Sequence, residues 1–186
     1  MTFLRNHMKV TAACDFFVVP TITFKLLYVF VVLSHDRRQI VHVAVTAHPT
    51  AEWTARQVVE AFPEQEPRYM VRDRDSIYGL AFSRQLAAMD IEDIRIAPRS
   101  PWENPFCERV IGTLRRECTD HVIALGERHL QHVLREYVEQ YYNVERTHMS
   151  LDGNAPIPRA VAPVPAAELR AIPVLGGLHH KYTVAA

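Results

Sequence analysis

Apolar residues come in short, dense blocks through the first part of the chain. Residues 10–19 (VTAACDFFVV), 25–36 (KLLYVFVVLSHD) and 40–48 (IVHVAVTAH) are rich in β-branched and aromatic side chains. Short connections, PTITF and RRQ, separate them, so the three blocks are predicted to be strands of an antiparallel meander. The periodicity then changes. Residues 49–63 set Trp53, Val58, Val59 and Phe62 on one helical stripe, with Pro49 or Thr50 opening the helix and Pro63 closing it. RYMVRD (68–73) reads as a fourth strand, SIYGLAFSRQLAAMD (76–90) as a second helix and IRIAP (94–98) as a fifth strand. Residues 100–120 begin as a polar loop and become a helix near Pro105. Residues 126–143 form a long amphipathic helix, with Leu130, Val133, Leu134, Tyr137, Val138 and Tyr141 at helical spacing.

The order βββαβαβα predicts an α/β domain with a five-stranded mixed sheet and helices on both faces. The first strand is expected to lie centrally, beside the fourth. After His148 the composition shifts to APIPRAVAPVPAAEL and LGGLHHKYTVAA. The expected organisation is an N-terminal extension (1–9), a folded core (10–150) and a proline-rich, extended or mobile C-terminal tail (151–186).

Composition narrows the picture. The chain has 186 residues, 48% of them hydrophobic and 23% charged, which suits one soluble domain with a tail. Formal net charge is zero, so any nucleic-acid binding must rest on local patches. Cys14, Cys107 and Cys118 form no C-x-x-C pair, which argues against a disulfide framework and a structural zinc site. A reducing cytoplasm is the expected setting. The apolar stretch 16–33 is broken by Pro20 and Lys25, and its uninterrupted part, LLYVFVVL, is far short of the roughly 20 residues of a membrane-spanning helix. No membrane association is expected.

Three carboxylates stand out. Asp15 lies inside an apolar strand, where an unpaired charge is costly, although an aspartate accepting backbone hydrogen bonds at a bend would also fit. Asp73 closes the fourth strand, a common place for a turn aspartate. Glu108 falls in the first turn of the helix after Pro105, where the helix dipole favours an anion whatever its role, and Asn104 is the natural N-cap. Asn104, Glu108 and Gly112 share one helical face, and the glycine suggests a close approach there. Topology brings the first and fourth strands together, and a helix across their ends can add Glu108. Three carboxylates in one place repel one another, and hard divalent cations relieve that repulsion.

Four ordered blocks, CDFFVVPT, RDRDSIYG, SPWENPFCERVIGTLRREC and YYNVERTHMSL, resemble the integrase core domain of DDE-type transposases and retroviral integrases. The likeness runs from about residue 10 to 160 and is greatest to the integrase-type transposases of bacterial insertion sequences. It implies a ribonuclease H-like fold. Asp73 and Glu108 are 35 positions apart, close to the separation typical of that family. The resemblance implies that Asp15, Asp73 and Glu108 form a catalytic triad holding Mg²⁺ or Mn²⁺, with two ions expected. The implied reaction is DNA strand cleavage by water followed by strand transfer from a freed 3′-hydroxyl. Where many relatives have D-N-G-S-E-F and Asn-Gly, this chain has DRDSIY and Asn104-Pro105.

Strand alternation alone does not choose between Asp73 and Asp75. The following helix makes Asp75 or Ser76 the expected N-cap, and the resemblance assigns the metal to Asp73, with Arg74 directed away. For DNA contact, residues 95–116 hold five arginines (95, 99, 109, 115 and 116) against Glu103 and Glu108, a local excess of three positive charges. Asn104, Arg109, Arg115, Arg116 and Arg146 are the expected DNA-binding residues, although a solvated helix face would read much the same. Transposon-end and target DNA are the implied partners, with a homo-oligomer by analogy. Little chain precedes the first strand, so the helix-turn-helix region usual in relatives is expected, if present, on a separate subunit. The expected location is cytoplasmic and nucleoid-associated. Two other readings remain: a truncated or partner-dependent DNA-binding remnant without catalysis, and a ribonuclease H-like nuclease acting on RNA–DNA hybrids.

Overall fold

A computed structural model describes residues 7–64, 67–97, 104–159 and 169–184. Arg99, Glu103, the opening of the loop at 100–103 and the proline run at 160–168 lie outside the described residues, as does most of the expected N-terminal extension. The chain divides into two compact units, Met1–Gln131 and His132–Ala186.

The first unit is built on strands β1 (Thr11–Pro20), β2 (Leu26–Ser34), β3 (Gln39–Thr46), β4 (Tyr69–Arg72) and β5 (Glu92–Arg95). Their spatial order is β3-β2-β1-β4-β5, which puts β1 in the centre beside β4 as expected. β1 pairs antiparallel with β2 and parallel with β4, β2 pairs antiparallel with β3, and β4 pairs parallel with β5. Helices α1 (Ala51–Ala61), α2 (Gly79–Ala88) and α3 (Pro105–Glu117) cover the sheet, and α4 starts at Glu127 and continues to Tyr137. Alternation along the strands sorts the core into two layers. Ala12, Cys14, Phe30 and Met70 pack with Val58 and Ala61 of α1 and with Phe82 and Leu86 of α2. Ala13 and Val71 point the other way and pack with Cys107 of α3. Each large side chain in these layers contributes about 2 kcal/mol on burial.

Local chemistry accounts for the boundaries. The Thr50 hydroxyl caps α1 by accepting the Trp53 N–H at 3.2 Å. Pro105 occupies the first turn of α3, where its missing N–H costs nothing. The free edge of β3 is closed by side chains: Gln131 Nε2 donates to the Val43 carbonyl (3.0 Å), and its Oε1 accepts the Val45 N–H (2.9 Å). Glu127 Oε1 accepts the Ala47 N–H at 2.7 Å. A side-chain amide thus takes the place of a sixth strand and blunts an edge that would otherwise pair with another chain.

Three expectations are corrected. The second helix starts at Gly79 rather than at 76, its N-cap position is Tyr78, and no side chain caps it. Asp75 Oδ1 instead accepts the Ile77 N–H at 3.0 Å, closing a turn before the helix. Asp73 lies one residue beyond β4 rather than on it.

In the second unit, the segment expected to be an extended tail contains an antiparallel hairpin, β6 (Leu169–Val174) and β7 (His179–Val184). Its connection carries Leu175, Gly176 and Gly177 at positive φ, and the two glycines accept that backbone without strain. Within this unit His179 stacks on Tyr141 with ring centroids 4.1 Å apart, and the Leu175 N–H donates to Glu136 Oε1 at 2.8 Å. The hairpin holds because these side chains anchor it.

Candidate active site

The register of the parallel pair β1–β4 sets the site. The last pair of that ladder is Ala13–Val71; Asp15 lies two residues further along β1, and Asp73 two residues beyond Val71, just past the end of β4. Asp15 continues along β1 the face on which Ala13 packs with Cys107 of α3, and Asp73 and Glu108 are near enough to it for their charges to be felt. Glu108 stands in the first turn of that helix.

The electrostatics are those of an uncompensated cluster. The Asp15 pKa is raised to about 7, first by burial and then by the Asp73, Glu108 and Asp75 carboxylates, against the Phe16 N–H that donates to its Oδ1 at 2.7 Å. The Asp73 pKa is also raised, first by burial and further by Asp75, against the Asp75 N–H (3.1 Å from Asp73 Oδ1) and Arg72. Among the described residues, no group of three His, Cys, Asp or Glu side chains is disposed to hold a metal ion.

The other side of β4 is the opposite case. Arg72, only 4% exposed, grips Asp93 of β5 with two hydrogen bonds, Nε–Oδ1 and Nη2–Oδ2, both 2.8 Å. Its Nη2 donates to Ser83 Oγ (3.2 Å), its Nη1 donates to the Asp73 carbonyl (3.1 Å), and the guanidinium lies over the rings of Tyr78 and Phe82. Arg95 adds a third nitrogen to Asp93. The Asp93 pKa is lowered: burial alone would raise it, but the bonds to Arg72, Ser83 and Arg95 outweigh burial. Sequence reasoning missed this network. The available signal was an arginine inside an apolar strand, which needs a buried anionic partner.

The residues expected to contact DNA differ in exposure and in what they touch. Arg109, Arg115 and Arg116 are exposed on α3. Arg115 lies over the Phe17 ring, 5.4 Å from its centroid. At Gly112 a Cβ would come within 2.9 Å of an Arg116 Nη, the movable end of an exposed side chain on the same helix, so among the described residues no neighbouring element makes the expected close approach. Asn104 occupies the N-cap position of α3 without a side-chain cap bond; it is 2% exposed, and its Oδ1 has no hydrogen-bond partner among the described residues. Arg146 belongs to the second unit and lies over Tyr142. Arg74 is directed away, its Nε donating to the Ile96 carbonyl at 2.9 Å.

Comparisons with known proteins agree with this architecture. Residues 89–156 match a family model described as the integrase core domain; that segment contains Glu108 but not Asp15 or Asp73. No curated protein matches the chain. Among solved structures, the catalytic core domain of BIV integrase is similar over 80% of this chain and 91% of its own, at 13% identity and a TM-score of 0.58. The HTLV-2 integrase catalytic core domain, solved with magnesium in a trimeric form, covers 80% of this chain and 93% of its own at 11% identity, with a TM-score of 0.63. The catalytic domain of a mariner transposase covers 75% and 76% at 11% identity, with a TM-score of 0.62. At such identities the likeness is one of fold, the ribonuclease H-like α/β fold of integrase catalytic cores.

Proposed function

We propose that this chain, similar to the integrase core domain in sequence and to integrase catalytic cores in fold, cleaves and joins DNA strands as the core of a DDE-type transposase of the insertion-sequence kind, with residues 10–150 as its catalytic part. What supports this reading is the nearness of Asp73 and Glu108 to Asp15, felt in the rise of the Asp15 pKa to about 7 under burial and neighbouring carboxylates. That donor set fits a hard divalent cation: every donor is a carboxylate oxygen, and a cation reverses the repulsion among them. Asp15, Asp73 and Glu108 would hold Mg²⁺ or Mn²⁺, with two ions in the reading favoured here. Such ions supply polarisation of phosphoryl oxygens and activation of an attacking oxygen.

The chain's own residues position and neutralise. In this reading the carboxylates come from three elements: Asp15 from β1, Asp73 from just past β4 and Glu108 from the first turn of α3. Exposed Arg109 and Arg116 meet phosphates, while Arg115 is engaged with Phe17. No cysteine serves as nucleophile: Cys14 and Cys107 are fully buried, and burial pushes their thiols far above the range in which a thiolate forms. The partners in this reading are DNA ends, target DNA and further copies of the chain. Among the described residues no helix is long and apolar enough to cross a membrane.

Incubation with Mn²⁺ and duplex DNA carrying the ends of the chain's own element tests the proposal. Strand cleavage that disappears in Asp73→Asn and Glu108→Gln is expected. Cleavage unchanged in both variants would refute the triad. Preference for an RNA–DNA hybrid over duplex DNA would mark a nuclease instead.

A further inference from the structure

The turn joining β1 to β2 exposes more apolar surface than a monomer needs. Phe24 is 90% exposed and sits at φ 60°. For a residue with a Cβ this left-handed backbone costs about 1 kcal/mol, and leaving the ring in water forgoes about 2 kcal/mol of burial. Neither cost has a return within the monomer. Yet the turn is held firmly: the Thr21 N–H donates to the Lys25 carbonyl (2.8 Å), the Phe24 N–H to the Thr21 carbonyl (2.9 Å), and the Lys25 N–H to Thr21 Oγ1 (3.0 Å). Strain maintained by surrounding bonds is a reason to look for a use.

A cavity of about 280 Å³ lies beside this turn. Val18, Val19, Ile22, Val122 and Ile123 give it apolar walls. The Ile22 N–H donates to the Ala124 carbonyl at 2.9 Å, tying the foot of the turn to the segment that forms the far wall. Around it, Ile22, Leu26, Ile123 and Leu125 are each more than half exposed. One face therefore carries a rigid aromatic projection and, next to it, an apolar hollow. The hollow is at the small end for an organic ligand and suits a single large side chain.

Charge adds direction. Lys25 follows the projecting ring, and Asp120 lines the hollow. Both are exposed, and neither has a salt-bridge partner among the described residues. A two-fold axis through this face would put Phe24 of each copy into the hollow of the other and bring each Lys25 to the opposite Asp120. Such self-complementarity of one patch is what an isologous interface requires. Arg115, on another wall, would lie against the face of the incoming ring.

We propose that this face binds a second copy of the chain, with Phe24 as the anchor and the Lys25–Asp120 pair fixing the register. The inference uses none of the triad carboxylates and stands or falls apart from the proposed chemistry. Sedimentation velocity over a range of protein concentrations tests it. The wild type is expected to dimerise. Phe24→Ser should weaken association at least about tenfold, as for an aromatic anchor at an interface centre, with circular dichroism and the thermal midpoint retained because the ring is exposed in the monomer. Lys25→Glu and Asp120→Lys should each weaken the dimer, and the two together should restore it. A wild type that stays monomeric at every concentration, a Phe24→Ser protein that dimerises like the wild type, or a double exchange no better than either single change would each overturn the proposal.

Discussion

Arg72 and Asp73 are neighbours in the chain and opposites in the structure. Arg72 turns to the α2 side of the sheet, where Asp93, Ser83 and two aromatic rings take up its charge and donors. Asp73, one residue later, lies near Asp15, and burial first, then neighbouring carboxylates, raises the pKa of each. The first is a completed network and holds the second through a hydrogen bond to its carbonyl. The second is a cluster that costs stability in the protein alone. A polar group whose needs are met inside the fold supports architecture; a buried charge whose needs are not met points to something outside the chain.

The contrast predicts opposite signs. Arg72→Met strands Asp93 without its main partner and should destabilise the unit by about 4 kcal/mol in urea denaturation. A loss below about 1 kcal/mol would mean that the network contributes little.

Asp15→Asn should do the reverse. The folded pKa of Asp15, about 7, exceeds the ordinary aspartate value of 3.8, so its contribution to stability is fully present below pH 4 and lost as pH rises through 7. At about 1.4 kcal/mol per unit, the ceiling is on the order of 4 kcal/mol. In chelator, at pH 8, Asp15→Asn should be more stable than the wild type by about 3 kcal/mol, and the gap should close towards pH 4. Equal stability at both pH values would place Asp15 outside any repelling cluster. If cations relieve the cluster, added Mn²⁺ should raise the melting temperature of the wild type and leave that of Asp15→Asn nearly unchanged.

His35 offers a smaller check on the same logic. It is fully buried, neither ring nitrogen has a hydrogen-bond partner among the described residues, and burial, aided by Arg38, lowers its pKa to about 4. The unfolded chain therefore binds the extra proton between about pH 6.5 and 4, and stability falls on acidification through that window. Compared with His35→Phe, the wild type should lose on the order of 2 to 3 kcal/mol more between those limits in matched denaturation curves.

Smallest is Gln131→Ala, which frees one N–H and one carbonyl of β3 where water can reach them. A loss of about 1 kcal/mol is expected, with slower hydrogen exchange at Val45 in the wild type.

Much of this was legible in the chain. Dense β-branched blocks, the spacing of Trp53 and Val58, Thr50 before a helix and Pro105 within one are local signals, and the strands and helices formed where those signals stood, within a few residues. The hairpin in the second unit left a weaker trace, its Gly176–Gly177 turn, masked by the prolines before it. The start of α2 was misplaced because Asp75 and Ser76 look like caps, and only the path of the backbone shows that they close a turn first.

By itself the sequence determined which segments become strands or helices, because propensity, period and turn chemistry act over a few residues. It also set the family likeness and the three carboxylates as residue types. The tertiary structure alone decided that Asp15 and Asp73 lie near each other, that Arg72 faces away from them towards Asp93, and that Asn104 is buried. Those outcomes depend on the register of a parallel strand pair and on which sheet face each helix covers, and both arise from contacts between residues far apart in the chain.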